Sequence, residues 1–188
     1  MTHTPSDKEL AQSAQSGDDE SFDLLARKYQ TLLMRYFLLR HAHEDALELI
    51  QETFLHAWKS LRTYNPQWQF STWLFAIASQ QSALFFRKRK RNPLGEASQV
   101  EWSEELNSPG RARSAEDQMI EREERSSLWR IVVQKLPREQ SDALWLFYAE
   151  EKSLAEIAQV FGKTTNGVKM LLFRARKNLR RILNQKGE

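Results

Sequence analysis

This 188-residue chain offers no convincing period-two strand, whereas apolar side chains recur at three- and four-residue intervals along most of it. That repeat restricts the chain to helices, because only a 3.6-residue period gathers such positions onto one face. Ser6 with Glu9 makes a capping box for a short first helix. After the break "SGDDE", Phe22, Leu25, Tyr29, Leu32, Leu33 and Phe37 share a face. A third helix is expected from about Glu44 to Leu61, burying Ala46, Ile50, Phe54 and Ala57. Asn65-Pro66 then interrupts, since a residue before proline is pushed out of the helical region. Ser71 is the expected N-cap of a fourth helix, Thr72 to about Arg89, apolar at Trp73, Leu74, Ile77 and Ala78.

Asn92 to Arg113 contains two proline breaks, Gly95, Gly110 and many polar residues, and reads as an irregular linker anchored only by Trp102 and Leu106. Ser114 with Asp117 restarts a helix that runs to Leu136 and stops at Pro137. Three more helices are expected, Glu139–Glu150, Leu154–Phe161 and Thr165–Gln185. The fold class is therefore all-α: two small helical domains, 1–91 and 114–188, joined by the linker 92–113.

The back half contains Gly162-Lys163-Thr164, the trio that closes a phosphate-binding P-loop. The first glycine of that motif would stand at 157, which is isoleucine, and the preceding residues read as helix rather than strand. The glycine has another explanation. Ser153 and Glu156 box the start of one helix, Gly162 falls at its left-handed end, and Thr164 caps the next. Helix, tight turn, helix is a DNA-reading signature. On its second helix Val168, Leu171, Leu172, Ala175 and Leu179 face inward. Thr165, Asn166, Lys169, Phe173, Arg176, Lys177 and Arg180 lie largely opposite. Asn166 and Lys169 are placed to read base edges, Thr165 and Phe173 to make methyl or apolar contacts, and the later cations to meet phosphates.

Charge is segregated. Lys163 to Lys186 carries eight cations and no acid, Arg87 to Arg91 is "RKRKR", and Pro93 to Glu124 carries nine acids against three cations. Two basic runs, each closing a helical segment, suggest polyanion contact at two places. Before the first run, Tyr64, Trp68, Phe70, Trp73 and Phe75 crowd together, and rings beside cations suit single-stranded DNA, though most such rings pack into cores and Trp73 is expected there. With no cysteine there is no disulfide, thiolate site or thiol nucleophile. His41, His43 and Glu44, and His56 with Glu52, lack the remainder of a metal set and read as surface histidines; no cofactor is expected. No apolar run approaches a membrane span and "MTHTPSDKEL" has no signal-peptide core, so a cytoplasmic protein without membrane insertion is expected.

The stretches "EDALELIQETFLHAW", "FSTWLFAIA" and "LPREQSDALWLFYAEEKSLAEIAQVFGKTTNGVKMLLFRARKNL" resemble regions two and four of bacterial RNA polymerase sigma factors, in the compact layout of the extracytoplasmic-function (ECF) group of the sigma-70 family. The resemblance covers nearly the whole chain, the linker matching only in position and character. It implies a non-enzymatic initiation subunit whose partners are core RNA polymerase, promoter DNA both duplex and single-stranded, and an anti-sigma factor. Region two, about Ser16 to Arg91, would dock on the polymerase clamp through Asp45, Glu48, Gln51 and Glu52. Tyr64 to Trp73 would capture a flipped base of the minus-ten element, with Tyr64, Trp68 and Phe70, a pocket wall, joined by Gln80, Arg87 and Lys88. Region four, about Ser114 to Gln185, would read the minus-thirty-five duplex through Thr164, Thr165, Asn166, Lys169, Phe173, Arg176 and Lys177. The chain departs from the family pattern at Gln80, Leu84, Ser141 and Gly167. A plain helix-turn-helix regulator is the competing reading, and it leaves the front half without a purpose.

Overall fold

A computed structural model describes residues 4–91 and 128–185. Among them all regular structure is helical: α1 Asp7–Gln15, α2 Asp19–Leu38, α3 His43–Ser60, a 3-10 turn Leu61–Thr63, α4 Phe70–Arg91, α5 (128–135), α6 Arg138–Tyr148, α7 Leu154–Phe161 and α8 Thr165–Asn184. The expected linker 92–113, its anchors Trp102 and Leu106, the Ser114–Asp117 cap and most of the helix expected before Pro137 lie outside the described residues. The chain divides into two compact units, Met1–Val100 with Ala158–Lys163, and Glu101–Ile157 with Thr164–Glu188. None of the described helices is long and apolar enough to cross a membrane.

In the first unit α2 packs between α1 and α3, and α4 lies on α3. Its core is built from the face that the spacing predicts: Phe22, Leu25, Tyr29, Leu33 and Phe37 are buried, with Leu32 half-buried. The α1 capping box forms, Ser6 N–H donating to Glu9 Oε2 at 2.7 Å and Glu9 N–H to Ser6 Oγ at 3.3 Å. α1 ends at Gly17, whose φ of 100° lets Gly17 N–H reach Ala14 O and Asp18 N–H reach Ser13 O, the paired bonds of a Schellman stop.

Four sequence expectations change here. α4 starts at Phe70, because Thr72 and Trp73 N–H are capped by the backbone carbonyl of Gln69 and not by the Ser71 side chain. Phe54 is half-buried, and Leu49 and Thr53 take its place inside α3. Trp73 is half-buried, whereas Tyr64, Phe70 and Phe75 are core. His41 is not a surface histidine. It is 2% exposed, its Nε2 lies 2.9 Å from Ser82 Oγ, and the rings of Phe37, Phe85 and Phe86 surround it.

α1 is latched to α2 through Asp7, which accepts from Lys28 Nζ and from Tyr29 Oη, both at 2.5 Å. Burial first, and then the bond to Asp7, push the Tyr29 phenol well above its ordinary value of 10.0. A raised folded-state value means that stability is complete below pH 10 and is lost as pH climbs towards the folded value, because the unfolded phenol ionises first. Tyr29→Phe is expected to lower stability near neutrality by about 1 kcal/mol and to flatten its decline in alkali, measured by urea denaturation across pH.

In the second unit α6 packs on α8. Val132, Leu136, Ala143, Leu144, Trp145, Leu146, Val168, Leu172 and Ala175 are buried. Leu171 and Leu179 are half-buried. Ser141 is buried and turned back onto Arg138 O at 2.9 Å, and Asp142 beside it, also buried, pairs with Arg138 Nε at 3.3 Å. The turn after α6 places Glu151 at φ 50°, a left-handed conformation held by Glu150 N–H to Trp145 O and Lys152 N–H to Leu146 O.

The α7–α8 turn forms as expected. Ser153 and Glu156 box the start of α7 at 2.9 and 3.3 Å. Gly162, at φ 61°, closes it, with Gly162 N–H donating to Gln159 O and Lys163 N–H to Ala158 O. A Cβ at 162 would meet nothing within 4 Å, so the cost of a side chain is conformational alone. Gly162→Ala is therefore expected to cost about 1 kcal/mol, and Glu151→Gly to gain about 0.5–1 kcal/mol, in thermal or urea denaturation.

Candidate nucleic-acid interface

Thr164 Oγ1 accepts from Gly167 N–H at 3.1 Å, so this hydroxyl serves the helix end. Thr165, Asn166, Lys169, Phe173, Arg176 and Lys177 are all exposed, on the side away from buried Val168, Leu172 and Ala175. Phe173 is 58% exposed and Met170 51%, large apolar surface on an otherwise cationic helix. Arg176 is tethered: its guanidinium stands 5.8 Å from the Phe147 ring and 5.9 Å from that of Tyr148. Further along, Lys177, Asn178, Arg180, Arg181, Asn184 and Gln185 line an open groove of about 510 Å³. Asn178 Nδ2 donates to Gln140 Oε1 at 2.9 Å, fixing α8 against α6. A helix lies before Gly162 where a P-loop needs a strand, which removes the nucleotide reading.

In the first unit the aromatic cluster divides by burial. Phe70 is 2% exposed, its ring centroid 5.5 Å from Tyr29, 5.6 Å from Tyr64 and 5.5 Å from Trp73. Tyr64 is 3% exposed and donates its hydroxyl to Trp68 O at 2.8 Å. Burial, and after it the Asp7 charge, raise the Tyr64 phenol above its ordinary value. Both rings are therefore buried, beneath the 65–69 loop and not on its surface. Trp68 is half-buried, and Asn65, Gln67, Gln69 and Gln80 are exposed. Arg87 and Lys88 are exposed at the end of α4.

The acidic face of α3 also separates. Glu48, Gln51 and Glu52 are exposed, and Glu52 Oε2 lies 3.8 Å from His56 Nε2. Asp45 is half-buried and bound to Arg89 Nη1 at 3.0 Å, with the Arg89 guanidinium over Phe85. Sequence reasoning missed Leu47 and Leu55, exposed beside those acids at 39% and 45%. Leu47 between Glu44 and Glu48, and Leu55 about two turns on, three residues after Glu52, share the helix face of those acids, and that placement was the available signal. Among the described residues no three His, Asp or Glu side chains gather as a metal site.

The sigma-70 region 2 family matches residues 25–92, and the sigma-70 region 4 family residues 132–179. The chain is 28% identical over 186 residues to the ECF RNA polymerase sigma-E factor of Haemophilus influenzae, covering 94% of each chain. It is 30% identical over 182 residues to the RNA polymerase sigma-H factor of Pseudomonas aeruginosa, covering 94% of this chain and 93% of that one. In fold it is similar to the sigma factor RpoE of Bartonella quintana, solved with the anti-sigma factor NepR, at a TM-score of 0.62 and 22% identity over 89% of this chain and 97% of that one.

Proposed function

This chain belongs to the extracytoplasmic-function group of the sigma-70 family, and from that premise we propose a division of labour among its surfaces. It is a sigma factor, a transcription-initiation subunit that directs core RNA polymerase to promoters and helps to open them. The observation that carries this is the presence, in order on one chain, of both sigma-70 regions. A plain helix-turn-helix regulator needs only the second. It performs no chemistry of its own, and it works in the cytoplasm.

The N-terminal domain, which we place at 1–91, binds the polymerase clamp through the exposed face of α3. Glu48, Gln51 and Glu52 supply the charge, and Leu47 and Leu55 the apolar contact area. Asp45 contributes less directly, because it is engaged with Arg89. The 65–69 loop and the basic end of α4 take the unpaired non-template strand of the minus-ten element. Trp68 provides stacking, Gln67, Gln69 and Gln80 carboxamides for base edges, and Arg87 and Lys88 charge for the backbone. Tyr64 and Phe70 act from beneath as the floor of that site.

The C-terminal domain, which we place at 114–188, reads the minus-thirty-five duplex with α8 in the major groove. Thr165, Asn166 and Lys169 meet bases, while Arg176 and Lys177 meet phosphates. The 92–113 segment joins the two readers, and its acidity suits a path through a positively charged channel of the polymerase. An anti-sigma factor holds the free protein silent, as the Bartonella quintana relative solved with one suggests.

Charge reversal tests the docking face. Glu48→Lys with Glu52→Lys is expected to abolish co-purification with core polymerase while leaving duplex-DNA binding in place. Retention on polymerase at wild-type level would remove α3 from the docking role.

A further inference from the structure

The loop that follows the 3-10 turn is held by a residue of α1 that no part of the sigma reading uses. Gln15, half-buried at the end of α1, donates its carboxamide N–H groups to Leu61 O at 2.9 Å and Tyr64 O at 3.0 Å. An amide nitrogen has two donors, and both meet carbonyls that bracket the turn. Leu61 O accepts a second bond, from Tyr64 N–H at 3.0 Å. Residues 46 and 49 positions apart are thereby joined at one point.

From that point the loop closes on itself. Tyr64 Oη donates to Trp68 O at 2.8 Å, Trp68 N–H to Asn65 O at 3.0 Å, and Gln67 N–H to Asn65 Oδ1 at 3.0 Å. These bonds tie the backbone at Asn65, Gln67 and Trp68, while the Asn65, Gln67 and Gln69 residues are exposed and Trp68 is half-buried. A loop ordered in advance spares the bound state the cost of ordering it.

We propose that Gln15 is a positioning residue, whose two hydrogen bonds hold the 65–69 loop in the shape that captures an unpaired base. Tyr64 is the second strut. The proposal rests on the assignment of this loop to the single-stranded minus-ten strand. It moves Tyr64 from the list of base contacts to the frame that supports them. Gln15 is neutral, so its effect is independent of pH and only weakly sensitive to salt.

The test uses holoenzyme reconstituted with core polymerase and a single-stranded oligonucleotide that the wild-type holoenzyme has selected from a randomised pool. Gln15→Met keeps the length and helix propensity of the side chain and removes both donors. It is expected to weaken oligonucleotide binding about tenfold, the scale of one or two net hydrogen bonds. Polymerase affinity and duplex binding by α8 should stay as in wild type. Hydrogen exchange should speed up at the Tyr64 and Trp68 amides and not across the unit, a local signature that general destabilisation does not produce. Gln15→Glu, which points a carboxylate at two carbonyls, should be worse. Tyr64→Phe removes the other strut while preserving the buried ring, and decides the matter should the position-15 variants fail to fold. If both Gln15→Met and Tyr64→Phe hold the oligonucleotide as tightly as wild type, the positioning role is wrong. If the wild-type holoenzyme selects no single strand at all, the assignment of the loop falls and takes this role with it.

Discussion

Phe70→Ala is expected to lower the stability of the N-terminal unit by about 3–5 kcal/mol, the cost of emptying a buried aromatic site. The ring is 2% exposed at the first residue of α4, where it meets Tyr29 of α2, Tyr64 before the preceding loop and Trp73 in the first turn of α4. Its removal takes away transfer energy and three aromatic contacts, and it leaves a hole at the corner where α2 and α4 meet. A small domain has only about 5–15 kcal/mol in hand, so the variant should be partly unfolded at 37 °C. Phe70→Leu, which refills most of the volume, should cost less than about 1.5 kcal/mol. Urea denaturation followed by circular dichroism separates the two readings of the residue. A Phe70→Ala protein of wild-type stability that had lost only single-strand binding would make the ring a base contact after all.

The second large effect concerns α8. Asn166→Ala and Lys169→Ala are each expected to cost about 1–3 kcal/mol of duplex affinity and to relax preference at one position of the minus-thirty-five element. Both side chains are exposed in the first turns of α8, the part of a recognition helix that reaches base edges. Lys177→Ala, two turns on, should weaken all sequences alike and reduce the salt slope by about one unit. Competition binding with holoenzyme over a range of salt distinguishes the two classes. Uniform weakening by Lys169→Ala would reassign that side chain to phosphate.

What could be read in the sequence followed the range of the interactions. The boxes at Ser6–Glu9 and Ser153–Glu156 and the stop at Gly162 are complete within a few residues, and all three form. Their physics is local, so a short string suffices. The start of α4 was misplaced because its cap is the Gln69 carbonyl, which any residue carries. Glu151 at φ 50° left no mark for the same kind of reason, since glutamate is not a residue that announces a left-handed turn.

The site was less legible than the fold. An aromatic cluster in a sequence does not say which rings face inward. Tyr29, 41 residues before Phe70, helps to bury that ring. His41 disappears beneath Phe85 and Phe86 for a comparable reason. On α8 the separation of cations from apolar residues was itself the signal, so the exposed set Thr165, Asn166, Lys169, Phe173, Arg176 and Lys177 was correctly gathered on one side. Gln15 and the Asp45–Arg89 pair act across long stretches of chain, and no pattern of spacing reports them.

Run-off transcription is the most direct test of the central claim. Genomic fragments retained by the reconstituted holoenzyme serve as templates, with core polymerase alone, this protein alone, and the two together. The account requires transcripts of defined start only from the combined reaction, accompanied by permanganate reactivity of thymines around the minus-ten element. Discrete binding of the protein to duplex fragments with no transcript and no association with core polymerase would contradict it.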